Sequence, residues 1–159
     1  MTNRRQRHSE ATDRNAHFRL LFASNPLPMW VYDMTTLAFL EVNDAAIAQY
    51  GYSRDEFLGM RITDIRPPED VARVKEAAAA AARDGAHVVR HAGTWRHRLR
   101  GGQVRDVDIA SHAIRFAGRS AALVVATDVT DLKEAQAALG KYAERLRILH
   151  EIDAAIIAA

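Results

Sequence analysis

The alternation of apolar and polar positions divides the chain into strands and helices in a definite order. Five segments have the composition of strands: residues 29–32, 38–42, 86–99, 103–116 and 121–126. The block between the second and third of these segments carries helical patterns instead. Strands on both sides of a helical block predict an α+β fold, in which helices pack on an antiparallel sheet.

Helix start and stop signals punctuate that central block. Asn43 is a suitable N-cap for a short helix that ends at Gly51. Ser53 and Glu56, three positions apart, form a capping box that opens a second short helix. A longer helix is predicted over residues 69–82, and we interpret its alanine run as helix propensity rather than as a functional signature.

A glycine pair at residues 101–102 predicts a hairpin between the two long strands. A three-residue loop with glycine in the left-handed conformation sets Arg96 opposite Asp106. The same loop sets Trp95 opposite Val107, so charge pairs with charge and apolar with apolar; we prefer it to a two-residue turn. One face of the hairpin then carries His91, Trp95, His97, Val107, Ile109, Ser111 and Ala113.

The fifth predicted strand runs into a long helix with no glycine or proline between them. Thr130 or Asp131 can act as the N-cap of this helix, which is expected to start at Leu132. Apolar residues then recur at alternating steps of three and four: Leu132, Ala135, Leu139, Tyr142, Leu146 and Leu149. This spacing is that of a coiled-coil seam and predicts a homodimer. An amphipathic helix that folds back on the sheet is the alternative.

The length of 159 residues suits one domain with a real core. We expect a disordered or helical leader over residues 1–15, a domain over 16–131 and a linker helix over 132–159. The 22 basic and 20 acidic residues nearly balance, which gives no support to nucleic-acid binding. The chain has no cysteine and no apolar run of membrane-spanning length, so we expect a cytoplasmic protein without membrane contact.

Candidate chemistry is sparse. The sequence shows no nucleophile–base pair, phosphate-binding loop or metal-ligand set, and we predict that the chain is not an enzyme. His87 and His91 share strand parity, but the rise of a strand sets them about 13 Å apart, too far to share one ion. We therefore predict no metal site.

Several short motifs in a fixed order resemble the PAS family. They are Asn43, Gly51-Tyr52-Ser53 with Glu56-Phe57-Leu58-Gly59, Pro68-Glu69-Asp70, the Arg-Gly-Gly-Gln hairpin and Asp128-Val129-Thr130. The resemblance runs from about residue 18 to residue 132. It implies a five-stranded antiparallel sheet flanked by helices. It also implies a sensory or dimerisation role upstream of a histidine kinase, cyclase or similar output domain in the same full-length chain.

The resemblance also bears on cofactors. PAS domains that form flavin adducts or carry a thioester-linked chromophore need a cysteine, so both are excluded here. The well-known haem-binding type takes its axial histidine from the long helix, where residues 69–84 contain none, so haem is disfavoured. Non-covalent flavin, a small metabolite, a lipid-like molecule and no ligand at all remain open.

Two sets of residues are candidates for function. The resemblance implies that Asp128, Thr130 and Asp131 couple the domain to the helix, whereas capping and a turn are the simpler explanation. Candidates to line a ligand cavity are His91, Trp95, Ile109, Ser111, Leu123 and Val125. A filled core would have the same composition. A ligand-free dimerisation or protein-interaction module is therefore the alternative function.

Overall fold

The computed structural model describes residues 15–84 and 90–158. Within that part of the chain, five strands form one antiparallel sheet in the order β2-β1-β5-β4-β3. The strands are β1 (Met29–Asp33), β2 (Phe39–Val42), β3 (Arg90–Arg98), β4 (Val104–Phe116) and β5 (Arg119–Asp128). The predicted α+β fold is confirmed. Residues 86–89 of the predicted third strand lie outside the described residues.

Helices precede the sheet, connect its second and third strands, and follow its last strand. They are α1 (residues 15–23), α2 (Asp44–Tyr50), α3 (Arg54–Leu58), α4 (Val71–Asp84), which a 3-10 turn (Pro68–Asp70) precedes, and α5 (Thr130–Ala158). The chain separates into two compact units, one ending at Thr127 and the other comprising residues 128–159.

The predicted helix caps are confirmed. The Asn43 carboxamide oxygen accepts hydrogen bonds from the backbone N–H of Ala46 at 3.0 Å and of Met29 at 2.9 Å. Gly51 ends α2 with φ of 82°, a left-handed conformation that glycine adopts without steric cost. Ser53 and Glu56 form both hydrogen bonds of the capping box. Asn43 therefore caps α2 and holds the start of β1 with a single side chain.

The predicted hairpin register is confirmed near the turn and changes farther along the strands. Arg96 pairs with Asp106, Trp95 pairs with Val107, and Gly102 is left-handed with φ of 87°. A bulge between His91 and Gly93 then shifts the pairing by one residue, so that His91 lies opposite Ala110 rather than Ser111. The expectation that His91 shares a regular strand face with Trp95 is wrong for this reason.

Aromatic rings dominate the core beneath the sheet. The Trp30 ring meets the Tyr50 ring nearly edge-on, with centroids 5.7 Å apart, and lies 5.9 Å from the His97 ring. Phe57 packs edge-on against Tyr50 at 6.1 Å. All four side chains are almost completely buried, so α2, α3 and the sheet share one apolar interior.

The second unit is a single helix of 29 residues, none of them buried. It begins at Thr130, two residues before the predicted start. The Asp128 carboxylate accepts hydrogen bonds from the Thr130 backbone N–H at 2.9 Å and from its hydroxyl at 2.6 Å. The predicted N-cap at Thr130 or Asp131 is therefore corrected: Asp128 supplies the side-chain acceptor, because these two residues are already the first two of the helix.

Candidate ligand-binding cavity

A cavity of about 500 Å³ lies between α4 and the sheet. Large apolar side chains from four of the strands and from α4 form much of its wall: Trp30, Tyr32, Val74, Trp95, Ile109 and Val124. The volume lies within the range of about 300–1,000 Å³ that is typical of small-molecule sites. A mostly apolar wall with a few polar groups suits a ligand with an apolar body.

The alanine run of α4 makes room for this cavity. Ala77, Ala78, Ala80 and Ala81 line it, whereas Ala79 is exposed and does not. The first four lie on one helical face, at positions i, i+1, i+3 and i+4. Larger side chains there would fill the space. Our interpretation of the run as helix propensity alone therefore missed its structural role, although the spacing itself carried the signal.

Four of the six predicted cavity residues line the cavity: His91, Trp95, Ile109 and Ser111. Leu123 and Val125 do not, and the expectation for them is wrong by one position. Val124 lines the cavity instead, because it pairs with Trp30 and so points to the same face of the sheet. The exposed His91 remains at the cavity despite the bulge.

Arg66 is a cavity residue that the sequence analysis did not identify. It lines the cavity, yet only 6% of its surface is exposed. Its Nε and Nη1 atoms are buried and have no hydrogen-bond partner among the described residues. Burial lowers the pKa of Arg66 to about 10, which leaves the guanidinium charged at neutral pH.

Asp70, whose negative charge raises the pKa of Arg66 against the effect of burial, is bound by another arginine. Both carboxylate oxygens of Asp70 accept hydrogen bonds from Arg96, at 2.7 and 2.9 Å. Arg96 also pairs with Glu69 at 3.1 Å, so β3 holds the start of α4 through charge. Within the described chain, Arg66 forms no ion pair within 4 Å. A buried cation therefore faces an apolar cavity without an anion.

A second buried polar group lies behind the cavity wall. The Tyr50 hydroxyl and His97 Nδ1 are hydrogen-bonded at 2.6 Å. Burial, and then the positive charge of Arg66, lower the pKa of His97 well below 6.5, so that its imidazole is neutral. Burial also raises the pKa of Tyr32, against the opposing effect of Arg66. Arg66 is thus the cationic group of this interior.

Both tryptophans of the chain, Trp30 and Trp95, line the cavity. The guanidinium carbon of Arg66 lies 5.9 Å from the Trp95 ring centre, and that of Arg73 lies 4.1 Å from it. Arg73 is exposed and does not line the cavity. Intrinsic tryptophan fluorescence is therefore expected to respond to a ligand in this cavity.

The other predicted functional residues lie in the C-terminal unit. Asp128 and Thr130 are joined by the two hydrogen bonds described above, and Asp131 is an exposed residue of the first turn of α5. The predicted seam residues are at least half exposed: Leu132, Leu139, Tyr142, Leu146 and Leu149. The helix thus presents an unpartnered apolar stripe.

The described ranges contain no group of three or more histidine, aspartate or glutamate side chains placed to hold a metal ion. His87 lies outside them. Among the described helices, none combines the length and apolar character needed to cross a membrane.

Comparison with known proteins identifies the family of this chain. The family model described as PAS fold matches residues 16–129. The chain is 26% identical over 136 residues to a "methyl sulfide methyltransferase-associated sensor" of Methanosarcina acetivorans. That match covers 86% of this chain but only 13% of the relative's length.

Solved structures agree with this match. A PAS domain of an HTR-like protein from Haloarcula marismortui superposes with a TM-score of 0.63 at 21% identity, covering 78% of this chain and 98% of that one. A domain of a sensory box sensor histidine kinase/response regulator from Geobacter sulfurreducens gives a TM-score of 0.58 at 23% identity, covering 72% and 94%. At these identities the structures show a shared fold.

Proposed function

This chain belongs to the PAS family of sensory domains, and from that premise we propose that it senses a small molecule bound in the cavity between α4 and the sheet. The observation that carries the proposal is the cavity itself: about 500 Å³, walled by apolar side chains and holding a buried arginine without an ion-pair partner among the described residues. A core selected only for stability would be filled, because empty space and unpaired charge both cost free energy.

The ligand acts by population shift. A molecule that binds one arrangement of the domain more tightly than another changes the equilibrium between them by its difference in affinity. Asp128 and Thr130 are the proposed coupling residues, because their hydrogen bonds form the start of α5 directly after the last strand. Asp131, in the first turn, belongs to the same proposed segment.

The chain forms a homodimer through α5, and the change caused by the ligand passes along this helix to an output domain of a longer chain. The exposed apolar stripe of α5 supports the dimer, since side chains such as Leu139 and Leu146 are otherwise in water. A histidine kinase is the proposed class of output, because a similar solved domain comes from a sensor histidine kinase/response regulator. The absence of cysteine supports a reducing, cytoplasmic setting for this non-enzymatic module.

A ligand-free dimerisation module is the second candidate function. The specific observation in its favour is that same apolar stripe, which needs no ligand to pair with a second copy. In that case the cavity would be incidental, and filling it would stabilise the domain without any loss of function.

Two alanine substitutions on α4 distinguish the two functions. Ala78→Leu places a larger side chain at a cavity-lining, buried position, and Ala79→Leu makes the same change at the exposed neighbour. The wild type and both variants are screened against metabolite mixtures by thermal shift and tryptophan fluorescence. Compounds that stabilise the wild type and Ala79→Leu but not Ala78→Leu support the sensor. If no compound changes the thermal stability of the wild type or of either variant, the ligand-free module is favoured.

A further inference from the structure

We propose that the ligand is a small carboxylate with an apolar body and that Arg66 binds its carboxylate group. This inference rests on the proposed function, since it assigns the chemistry of the molecule that the cavity takes. It joins three observations: a buried guanidinium at the cavity, the engagement of the Asp70 carboxylate by Arg96, and the apolar character of the remaining wall.

The first argument is the unpaired charge of Arg66. Its side chain is more than nine-tenths buried, and two of its three guanidinium nitrogens have no hydrogen-bond partner among the described residues. A buried cation is tolerated when an anion is present to pair with it. Asp70 cannot serve fully, because Arg96 occupies both of its oxygens. A ligand anion would supply the missing partner.

The second argument is the balance of charge. Among the described residues that line the cavity, Arg66 is the sole lysine or arginine, and no aspartate or glutamate accompanies it. His97, on the inner side, is neutral because it is buried beside Arg66. A carboxylate carries one negative charge and neutralises one guanidinium. A phosphate dianion would bring a second charge into an apolar space with nothing to offset it.

The third argument is the shape and polarity of the remaining wall. Two indole rings and the small side chains of α4 enclose an apolar volume that suits an alkyl chain or an aromatic ring. Ser111, His91 and Tyr32 are wall residues that also carry a polar side-chain group. An amphiphilic acid places its charge on Arg66 and its apolar body between the tryptophans.

A purely structural role for Arg66, stacked on Trp95, fits the distances less well. The Arg73 guanidinium already lies 4.1 Å from the Trp95 ring centre, whereas that of Arg66 lies at 5.9 Å, close to the limit for a cation–π contact. Arg73 therefore provides the stacking cation from its exposed position. Arg66 is left as the charged group directed to the interior.

Matched acids and amides test the inference on the unmodified protein. The probes are hexanoate against hexanamide and phenylacetate against phenylacetamide, with inorganic phosphate as a third anion. Binding is titrated by tryptophan fluorescence and thermal shift at pH 7. We expect each acid to bind at least tenfold more tightly than its amide, because charged hydrogen bonds are the stronger ones. Equal or tighter binding of the amides would overturn the inference while leaving cavity binding intact.

Arginine variants test whether Arg66 causes the preference for acids over amides. Arg66→Met is expected to weaken binding of the acids at least tenfold and to leave binding of the amides unchanged. Arg73→Met, the same change outside the cavity wall, is expected to leave the acids' advantage in place. Arg66→Lys retains the charge and should keep part of the preference, which gives a second readout if Arg66→Met fails to fold. An unchanged acid preference in Arg66→Met or tighter binding of phosphate than of hexanoate would contradict the assignment. No saturable binding of any probe by the wild type would overturn the inference, whereas the proposed function fails only if the wild type also ignores every compound of the metabolite mixtures.

Discussion

The Tyr50 hydroxyl lies 2.6 Å from His97 Nδ1, and both side chains are excluded from solvent. This hydrogen bond joins α2 to β3 through the middle of the core. Because burial and the nearby charge of Arg66 lower the pKa of His97 well below 6.5, the imidazole is neutral in the folded protein. Protonation of His97 would place a second cation beside Arg66, and the fold resists it.

The His97 pKa predicts how stability depends on pH. Below pH 6.5 the unfolded chain binds a proton on His97 that the folded protein does not bind. Stability is therefore full above pH 6.5 and falls as the pH drops toward the folded-state pKa, by up to about 1.4 kcal/mol per pH unit. Urea unfolding between pH 7 and pH 5 measures this slope.

Two variants test whether His97 causes this dependence of stability on pH. His97→Phe is expected to remove most of the change in unfolding free energy between pH 7 and pH 5. This change with pH is the quantity compared, so the test holds even if the variant is less stable at every pH. His91→Phe, at an exposed position of the same strand, is the matched control and should retain it. An unchanged slope in His97→Phe would show that other groups control acid stability in this range.

Arg66→Met is expected to stabilise the ligand-free protein. The substitution removes a buried charge that has no ion-pair partner among the described residues and replaces it with an apolar chain of similar length. Such a change is expected to raise the free energy of unfolding by about 1–3 kcal/mol. Arg73→Met should instead lower it by up to about 1 kcal/mol, since it removes a cation–π contact. Urea unfolding of extensively dialysed protein is the measurement, and a large loss of stability in Arg66→Met would contradict an unpaired charge.

Thr130→Ala is expected to weaken coupling to the output. The alanine removes the 2.6 Å hydrogen bond to Asp128, whereas Thr130→Ser keeps the hydroxyl and is the control. In a fusion to a histidine kinase, we expect the ligand-dependent change in autophosphorylation to fall at least fivefold in the alanine variant, the low end of typical coupling energies. Equal responses in both variants would leave Thr130 with a turn-forming role only.

Leu139→Glu is expected to dissociate the dimer. Leu139 lies in the apolar stripe of α5, and a glutamate there would bring like charges together in a paired seam. Ala137→Glu adds the same charge on a different face of the helix, about 160° away, and should have little effect. Analytical ultracentrifugation should show at least a tenfold rise in the dimer dissociation constant for Leu139→Glu alone. A monomeric wild type at all concentrations would refute the predicted seam.

Local features of the fold could be predicted from the sequence because their causes are local. The caps at Asn43 and Ser53 depend on side chains that bind the neighbouring backbone. The pairing of Arg96 with Asp106 follows from the length of one glycine loop. Such features depend on only a few consecutive residues, so the sequence alone is enough to predict them.

The cavity was only partly predictable because its cause is tertiary. The apolar sequence of β5 shows no alternation, so it does not distinguish the face of Val124 from the face of Leu123 and Val125. The bulge near His91 does have a local signal, the isolated Gly93 within β3 with φ of 76°, which the prediction of a regular strand overlooked. Arg66 would be assigned to the surface by its residue type. Its burial depends on how α4 packs on the sheet.

Native mass spectrometry of freshly purified protein, with an absorption spectrum beside it, tests ligand sensing most directly. We predict a small bound mass in the wild type and in Ala79→Leu that denaturation releases as an organic acid, and its absence from Ala78→Leu. Incubation with the acids described above should restore the bound mass if purification has removed it. A wild type that carries no added mass and takes up none on incubation with these acids or with the metabolite mixtures would contradict the sensor and favour the ligand-free module.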